Sequence, residues 1–226
     1  MCGIVGLFLK DASLESNLGN LLSDMLVTMT DRGPDSAGIA IYADKDAGRA
    51  KFTIQSDNAH KDFEDLPNYL SKHLNCSVDI RINDTHAVVT LDESVTGKFS
   101  AALTSFNPKI RTMSRGSSLE IYKEVGLPKQ VTERFKIPQM SGRHGIGHTR
   151  MATESAVTTM GAHPFNTGLD QCLVHNGSLS NHNSLRRQLR RDGVHIETEN
   201  DTEVGDAYLT WKMQNGASRG EAIESS

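Results

Sequence analysis

The chain has 226 residues, with 24 basic and 28 acidic side chains that give a formal net charge of −4 at pH 7. Hydrophobic residues make up 37% and charged residues 23% of a chain long enough to bury a substantial core. The slightly acidic balance argues against nonspecific binding of nucleic acid or of an anionic membrane, because both partners favour a basic surface.

The cysteines and the N-terminus restrict the compartment and the kind of site. Cys2, Cys76 and Cys172 are odd in number and form no CxxC pair, which disfavours a disulfide framework and a zinc site. No signal peptide precedes Cys2, and no apolar run approaches the roughly 18 residues of a membrane span. We therefore expect a cytoplasmic protein. The small residue at position 2 also permits removal of Met1.

The first predicted elements are a strand, a helix and a second strand. Residues 4–8 form an apolar run typical of a buried strand, and leucines and methionines between 18 and 29 follow the spacing of one buried helical face. Gly33-Pro34 predicts a loop, after which residues 37–42 (AGIAIY) predict the second strand.

Residues 45–143 are polar, lack a dominant period and are interpreted as an insertion with some structure of its own. Residues 87–91 predict a strand. Residues 117–126 predict a short helix capped by one of its first two serines, and residues 128–135 predict another that begins at a proline. The size and polarity of the insertion suggest a role in partner docking or in shielding a site.

The sequence predicts regular secondary structure again from near residue 144, where a strand is expected to run into Gly147-His148. Residues 172–175 predict a third strand that ends in a turn at Asn176-Gly177, and residues 184–191 predict a helix. The basic cluster within that helix, formed by Arg186, Arg187, Arg190 and Arg191, is predicted to be a solvated face.

The last predicted helix begins after Asn200, which has the capping-box spacing with Glu203. Val204, Ala207, Tyr208 and Trp211 then fall on one helical face.

Cys2 is the first candidate for chemistry, with two interpretations. It is either a small buried hydrophobic residue at the start of a strand, as most free cysteines are, or a nucleophile. Once Met1 is removed, its own α-amino group, with a pKa of about 7.7–8, is well matched to a thiol of about 8.5 and can act as the general base. This second interpretation explains why such a cysteine must stand first.

Two further motifs have both a structural and a chemical interpretation. Asn176-Gly177 in HNGSLSN is typical of a hairpin turn, but a side-chain amide beside an exposed N–H also provides two donors for an oxyanion. Arg150 in GHTRMAT suits a surface ion pair, but its planar guanidinium also suits a substrate carboxylate.

Together, the N-terminal cysteine and the motifs RGPDSAG, GHTRMAT, AHPF, HNGSLSN and NDTE occur in the order seen in class II glutamine amidotransferases. The chain resembles these N-terminal-nucleophile hydrolases from its first residue to its last helix. Within the class it is most similar to the separately encoded amidotransferase subunit of glutamate-synthase-like complexes, such as N-methylglutamate synthase.

The resemblance implies a role for each matching residue. Cys2 is expected to attack the glutamine amide, and Asn176 and Gly177 to form the oxyanion hole. Arg150, assisted by Thr153, is expected to bind the substrate α-carboxylate.

At the opposite end of the substrate, Asp201 is expected to bind the α-ammonium. Arg32 is expected to order the nucleophile strand.

The resemblance also implies the architecture: a single α+β domain over 1–226, a four-layer αββα sandwich of two antiparallel sheets, with 45–143 inserted in it. Family domains continue with more strands beyond the Trp211 helix, so the resemblance leaves open whether the C-terminus is truncated in this sequence. The implied function is hydrolysis of L-glutamine through a Cys2 thioester.

We expect the ammonia to pass to a separate synthase subunit, because the sequence holds no phosphate loop, dinucleotide fingerprint or iron–sulfur spacing and suggests no cofactor or metal. Two alternatives stay open. One is a non-catalytic glutamine-binding regulatory subunit of such a complex, and the other is a hydrolase of the same fold that acts on a different amide.

Overall fold

The structure is a computed structural model that describes residues 2–152 and 156–224. Its strands form two antiparallel four-stranded sheets. The strands are β1 (Gly3–Phe8), β2 (Ser36–Tyr42), β3 (Arg49–Gln55), β4 (Asp79–Asn83), β5 (His86–Asp92), β6 (Arg111–Gly116), β7 (Leu119–Val125) and β8 (His144–Arg150). The α-helices are α1 (Leu18–Val27), α2 (Ala59–Asp62), α3 (Leu66–Leu74), α4 (Thr96–Phe106), α5 (Pro128–Arg134), α6 (His182–Arg191), α7 (Asp201–Gln214) and α8 (Arg219–Glu224). The predicted α+β class with two antiparallel sheets is confirmed.

The first sheet has the order β1-β8-β2-β7 and is covered on one face by α1. Leu18, Leu22 and Leu26 of α1 are fully buried, as the periodicity predicted. The helix packs this closely because β8 carries glycines beneath it: a Cβ on Gly147 would lie 3.0 Å from a Leu26 methyl. The predicted strands 4–8 and 37–42 are confirmed with one added residue each.

The second sheet has the order β4-β5-β3-β6 and comes entirely from the segment 45–143. With α3 and α4 its strands form a βαββαβ unit over residues 49–116. This unit has its own hydrophobic core, which contains Phe52, Phe63 and Phe99. The strand predicted at 87–91 is confirmed as β5.

The helix predicted over 117–126 is wrong, because this segment is strand β7 at the edge of the first sheet. Its charged residues Glu120, Lys123 and Glu124 are all buried. Each has a partner distant in sequence: Arg81, for example, donates to Glu120 at 2.6 Å. The helix predicted at 128–135 is confirmed as α5.

Three predictions about the C-terminal part need correction. No strand forms over 172–175; this segment makes only an isolated bridge between Leu173 and Phe165. Arg186 is buried rather than solvated, because its guanidinium pairs with Glu199 and donates to the Asn200 carbonyl. The other three arginines of the cluster are exposed.

The third correction concerns the start of α7. Asn200 caps it as predicted, with its side chain accepting from Thr202 N–H at 2.9 Å, but Glu203 does not complete the capping box. Its carboxylate instead accepts from the backbone of Glu197 and Thr198, which anchors the preceding loop.

The apolar face predicted for α7 is confirmed. Val204 and Ala207 are buried, with Tyr208 and Trp211 packed against them. None of the helices in the described ranges is long and apolar enough to cross a membrane.

Candidate functional site

Cys2 is half-buried at the start of the first sheet, where β1 pairs with the end of β8. Its thiol lies 3.9 Å from the Met151 carbonyl oxygen, just beyond the last residue of β8. The three cysteines are all free, but they differ in surroundings. Cys172 contacts the Tyr42 hydroxyl, and burial raises the pKa of its thiol to about 11, which makes that thiol a poor nucleophile.

Two of the predicted site residues converge on the backbone of Cys2. Asn176 donates from its side-chain amide to the Cys2 carbonyl at 3.0 Å, across 174 positions of sequence. Arg32 donates from Nε to the same oxygen at 3.2 Å. The Asn176 amide has two N–H groups, so one anchors it beside Cys2 and the second remains for another acceptor.

Gly177 allows the turn after Asn176 to remain compact. A Cβ at this position would lie 2.8 Å from Nε2 of His175, whose ring folds over the turn. Among the described residues, no group accepts a hydrogen bond from the Gly177 N–H, and the residue is exposed. The turn therefore offers a backbone donor next to the Asn176 amide.

Arg150 ends β8 and is buried, with 5% of its surface exposed. Its Nη1 donates to the Ala156 carbonyl at 3.2 Å, and a Cβ on Gly161 would lie 3.5 Å from that nitrogen. Arg150 thus lies against the loop that leads into AHPF. Thr153, predicted to act with it, lies outside the described residues.

Asp201 is the first residue of α7 and faces the segment that carries Asn176 and Gly177. Its Oδ2 accepts from the Leu179 N–H at 2.7 Å and lies 4.0 Å from Nδ1 of His175. The Gly161 carbonyl also accepts from Asn200 at 3.3 Å, so the loop beside Arg150 and the start of α7 are joined. A helix N-terminus carries a partial positive charge, which favours a carboxylate at this position.

Sequence reasoning missed the part that Asp35 plays. Its carboxylate accepts from the Ala152 N–H at 2.7 Å, and its own N–H donates to the Arg150 carbonyl at 3.0 Å. Gly33 of the same motif packs on β8 so closely that a Cβ would lie 2.6 Å from the Arg150 nitrogen. RGPDSAG therefore holds the end of β8 in place. The sequence signal for this role of Asp35 is its place within the motif RGPDSAG.

His148 and His163 were also missed as site residues, although both stand in the quoted motifs GHTRMAT and AHPF. Their rings are buried and stack on each other behind the Asn176-Gly177 turn, with centroids 4.1 Å apart.

A large cavity of ≈ 990 Å³ lies elsewhere in the molecule, between α4 and β6 on one side and α7 on the other. Lys123, Glu203 and Trp211 are among its lining residues, whereas none of the predicted site residues that the structure describes lines it. Within the described ranges, no cluster of His, Cys, Asp or Glu side chains could hold a metal ion.

Comparison with known proteins finds relatives of this chain. The family described as "Glutamine amidotransferase domain" matches residues 138–218. The chain is 59% identical to the glutamine amidotransferase-like protein GlxB of Rhizobium meliloti, over 99% of this chain and 74% of that protein. It is 31% identical to a putative glutamine amidotransferase of Methanothermobacter thermautotrophicus, over 100% of this chain and 77% of that protein.

Among solved structures, the chain is similar to one titled as the allosteric regulatory enzyme of purine biosynthesis. The TM-score is 0.53 at 17% identity, covering 100% of this chain and 32% of that one. At this identity the likeness concerns the fold alone.

Proposed function

Because this chain belongs to the glutamine amidotransferase family, as its identity to GlxB over nearly its whole length shows, we propose that it hydrolyses L-glutamine through Cys2 as an N-terminal nucleophile. The observation that carries the proposal is the hydrogen bond from Asn176 to the Cys2 carbonyl at 3.0 Å. It joins the expected nucleophile to the expected oxyanion donor, which are 174 positions apart in the sequence.

The first half-reaction forms a thioester. After removal of Met1, the free α-amine of Cys2 accepts the thiol proton, and the thiolate attacks the side-chain carbonyl carbon of glutamine. Negative charge develops on the carbonyl oxygen, where the second Asn176 N–H and the Gly177 N–H can stabilise it. The proton on the α-amine then passes to the leaving nitrogen, and the C–N bond breaks to release ammonia.

The second half-reaction regenerates the thiol. The α-amine now accepts a proton from water, which attacks the thioester carbonyl through the same oxyanion site. Cleavage of the C–S bond returns the proton to sulfur and releases glutamate.

The two ends of glutamine would be recognised by opposite charges. Arg150 would bind the α-carboxylate through its planar guanidinium, with Thr153 on the same group, and Asp201 would bind the α-ammonium. In this role Asp201 keeps Leu179 N–H on one oxygen and offers its other oxygen to the substrate. A free amino acid is then preferred over an amide within a peptide.

The partner would be a synthase subunit that receives the ammonia, and the segment 45–143 would serve in docking to it or in shielding the site. We place the ammonia-consuming step on that second chain, as the sequence suggested.

The test is ammonia release from glutamine by the purified chain and by Cys2→Ala. We expect the variant to lose all measurable release while its circular dichroism stays unchanged. Cys76→Ala is the matched control, because Cys76 is also half-buried but packs against the core of the βαββαβ unit. Release by Cys2→Ala at the wild-type rate would contradict the proposal. A wild-type chain that binds glutamine without turnover would favour the regulatory-subunit alternative.

A further inference from the structure

The Asn176-Gly177 turn is held at both of its ends. At its start, the His175 carbonyl lies 3.1 Å from Nε2 of His148. At its end, the Leu179 N–H donates to the Asp201 carboxylate at 2.7 Å. The two anchors belong to different elements, β8 and α7, so the placement of the turn depends on how those elements are tied together.

Two stacked histidines and a threonine make this tie. The rings of His148 and His163 lie with centroids 4.1 Å apart and planes 26° from parallel. His163 in turn contacts the Thr202 hydroxyl, with Nε2 and Oγ1 2.8 Å apart. Thr202 is the second residue of α7, directly after Asp201. All three side chains are buried.

The direction of each hydrogen bond follows from the acceptors at the two ends. A carbonyl oxygen only accepts, so Nε2 of His148 carries the proton it shares with His175. The Thr202 hydroxyl donates to the carboxyl oxygen Oδ1 of Asp201 at 3.4 Å. The Thr202 oxygen is then the acceptor for His163 Nε2–H. The chain of donors therefore runs from His163 through Thr202 to Asp201.

Both imidazoles are neutral. Burial lowers the pKa of His148 to about 4 and, with the neighbouring cations, lowers that of His163 further. A neutral ring with its proton on Nε2 has a bare Nδ1, and among the described residues neither Nδ1 has a hydrogen-bond partner. Two uncharged rings can stack without repulsion, which a charged pair could not do in a buried site.

We propose that His163 is a positioning residue that, with His148, fixes the Asn176-Gly177 turn relative to the Asp201 carboxylate. The inference rests on the proposed function, because it concerns how the oxyanion donors and the ammonium-binding group are held in register. His163 orients Asp201 through Thr202, and His148 holds the start of the turn. Neither histidine is assigned contact with the substrate.

This assignment predicts different kinetic effects for the two histidines. His163→Phe keeps a stacked ring but removes the donor to Thr202, so we expect the KM for glutamine to rise about tenfold with kcat within about threefold of wild type. His148→Phe removes the donor to the His175 carbonyl, so we expect kcat to fall about tenfold with little change in KM.

Two further variants separate positioning from packing. His163→Gln places a side-chain N–H near the position of Nε2, and we expect it to recover most of the lost affinity. Thr202→Val should raise KM as His163→Phe does, and the double variant should be no worse than either single one, because both interrupt one chain of donors. His86→Phe is the matched control. His86 is the first residue of β5, is fully buried, and its ring contacts those of Tyr122 and Phe135.

The outcomes distinguish the inference from the proposed function. A wild-type chain without glutaminase activity overturns the proposed function. An active wild type in which His163→Phe and Thr202→Val leave KM unchanged, or match His86→Phe in kinetics, overturns the inference alone. Should His163→Phe fail to fold, Thr202→Val and calorimetric binding of glutamine to a Cys2→Ala, Thr202→Val chain decide it. We expect that binding to be about tenfold weaker than to Cys2→Ala.

Discussion

At the scale of single residues, the site depends on small side chains at positions where two segments approach each other. Gly177 is the clearest case, because a methyl group there would lie 2.8 Å from the His175 ring. This steric clash involves a side-chain ring that can move, so a second substitution, at His175, can relieve it.

We predict that Gly177→Ala lowers kcat for glutamine hydrolysis by about tenfold or more, because the added methyl displaces the turn that carries the oxyanion donors. His175→Ala in the same chain should recover part of this loss by removing the ring. Steady-state kinetics of the two single variants and the double variant provide the measurement. Gly6→Ala is the control, since a Cβ there meets nothing within 4 Å. Equal activity of Gly177→Ala and wild type would contradict the placement of this turn in the site.

The role of a single residue could be predicted from the sequence when its hydrogen-bond partner was close to it along the chain. Asn200 was predicted as a cap from its spacing with Glu203, and it does cap α7 through Thr202, only two residues away. Arg186 was assigned to a solvated face, yet it is buried through Glu199, 13 positions further on. The pairing of Cys2 with Asn176 came only from the order of the motifs, because no local pattern relates residues that far apart.

At the scale of elements, β7 connects the first sheet to the loop before the site. Lys123 on this strand is fully buried and donates to three backbone carbonyls, those of Met160, Ala162 and Pro164, at 2.8–3.2 Å. This clamp fixes the segment that carries His163. Strand β7 escaped prediction because its charged residues are buried by partners that the sequence does not place beside them.

The Lys123 clamp predicts a pH dependence of stability. Burial lowers the pKa of Lys123 from 10.5 to about 8. Between these values the unfolded chain binds the proton and the folded chain does not, so stability rises with pH in this window. Relative to Lys123→Met, the wild-type free energy of unfolding should rise by roughly 3 kcal/mol from pH 8 to 10.5.

The measurement is urea denaturation of both proteins at several pH values. Lys51→Met is the control, because Lys51 lies 3.6 Å from the Glu120 carboxylate and donates to a single backbone carbonyl, that of Asp44, at 2.9 Å. This variant should keep the rise. A wild-type curve parallel to that of Lys123→Met would show that Lys123 titrates at its ordinary pKa.

At the scale of the whole molecule, the segment 45–143 contributes both to the first sheet and to the βαββαβ unit. Its last part provides β7 and α5, which belong to the first sheet and its core. Residues 49–116 form the βαββαβ unit, which has a core of its own, although its Val88 and Met113 pack into the clusters of the first sheet. This division was not readable from the sequence, because strand order in that unit is set by contacts between residues far apart along the chain.

The geometry of the junction lets the chain be closed without the unit, although removal of the unit also removes Arg81, a partner of Glu120. Ala43 N–H donates to the Ser118 carbonyl at 3.0 Å, and Tyr42 lies opposite Leu119, so β2 and β7 are already neighbours. Replacing residues 45–116 with Asn-Gly would join them as a hairpin. We predict that the shortened chain retains glutamine hydrolysis within about threefold and binds a partner synthase subunit at least tenfold more weakly, as a docking role requires.

Activity assays and co-purification with candidate synthase subunits would check this prediction. A shortened chain that is folded and inactive would indicate that the unit belongs to the site. Unchanged partner binding would remove docking as its role.

The central claim is that the sulfur and nitrogen of Cys2 act together on a free glutamine. Its most direct test is the intact mass of the purified chain, before and after exposure to a glutamine analogue that carries an electrophilic diazoketone in place of the amide, with peptide mapping of the adduct. We predict a chain that lacks Met1 and takes up one analogue, on Cys2. Retained Met1, no adduct, or an adduct on Cys76 or Cys172 would contradict it.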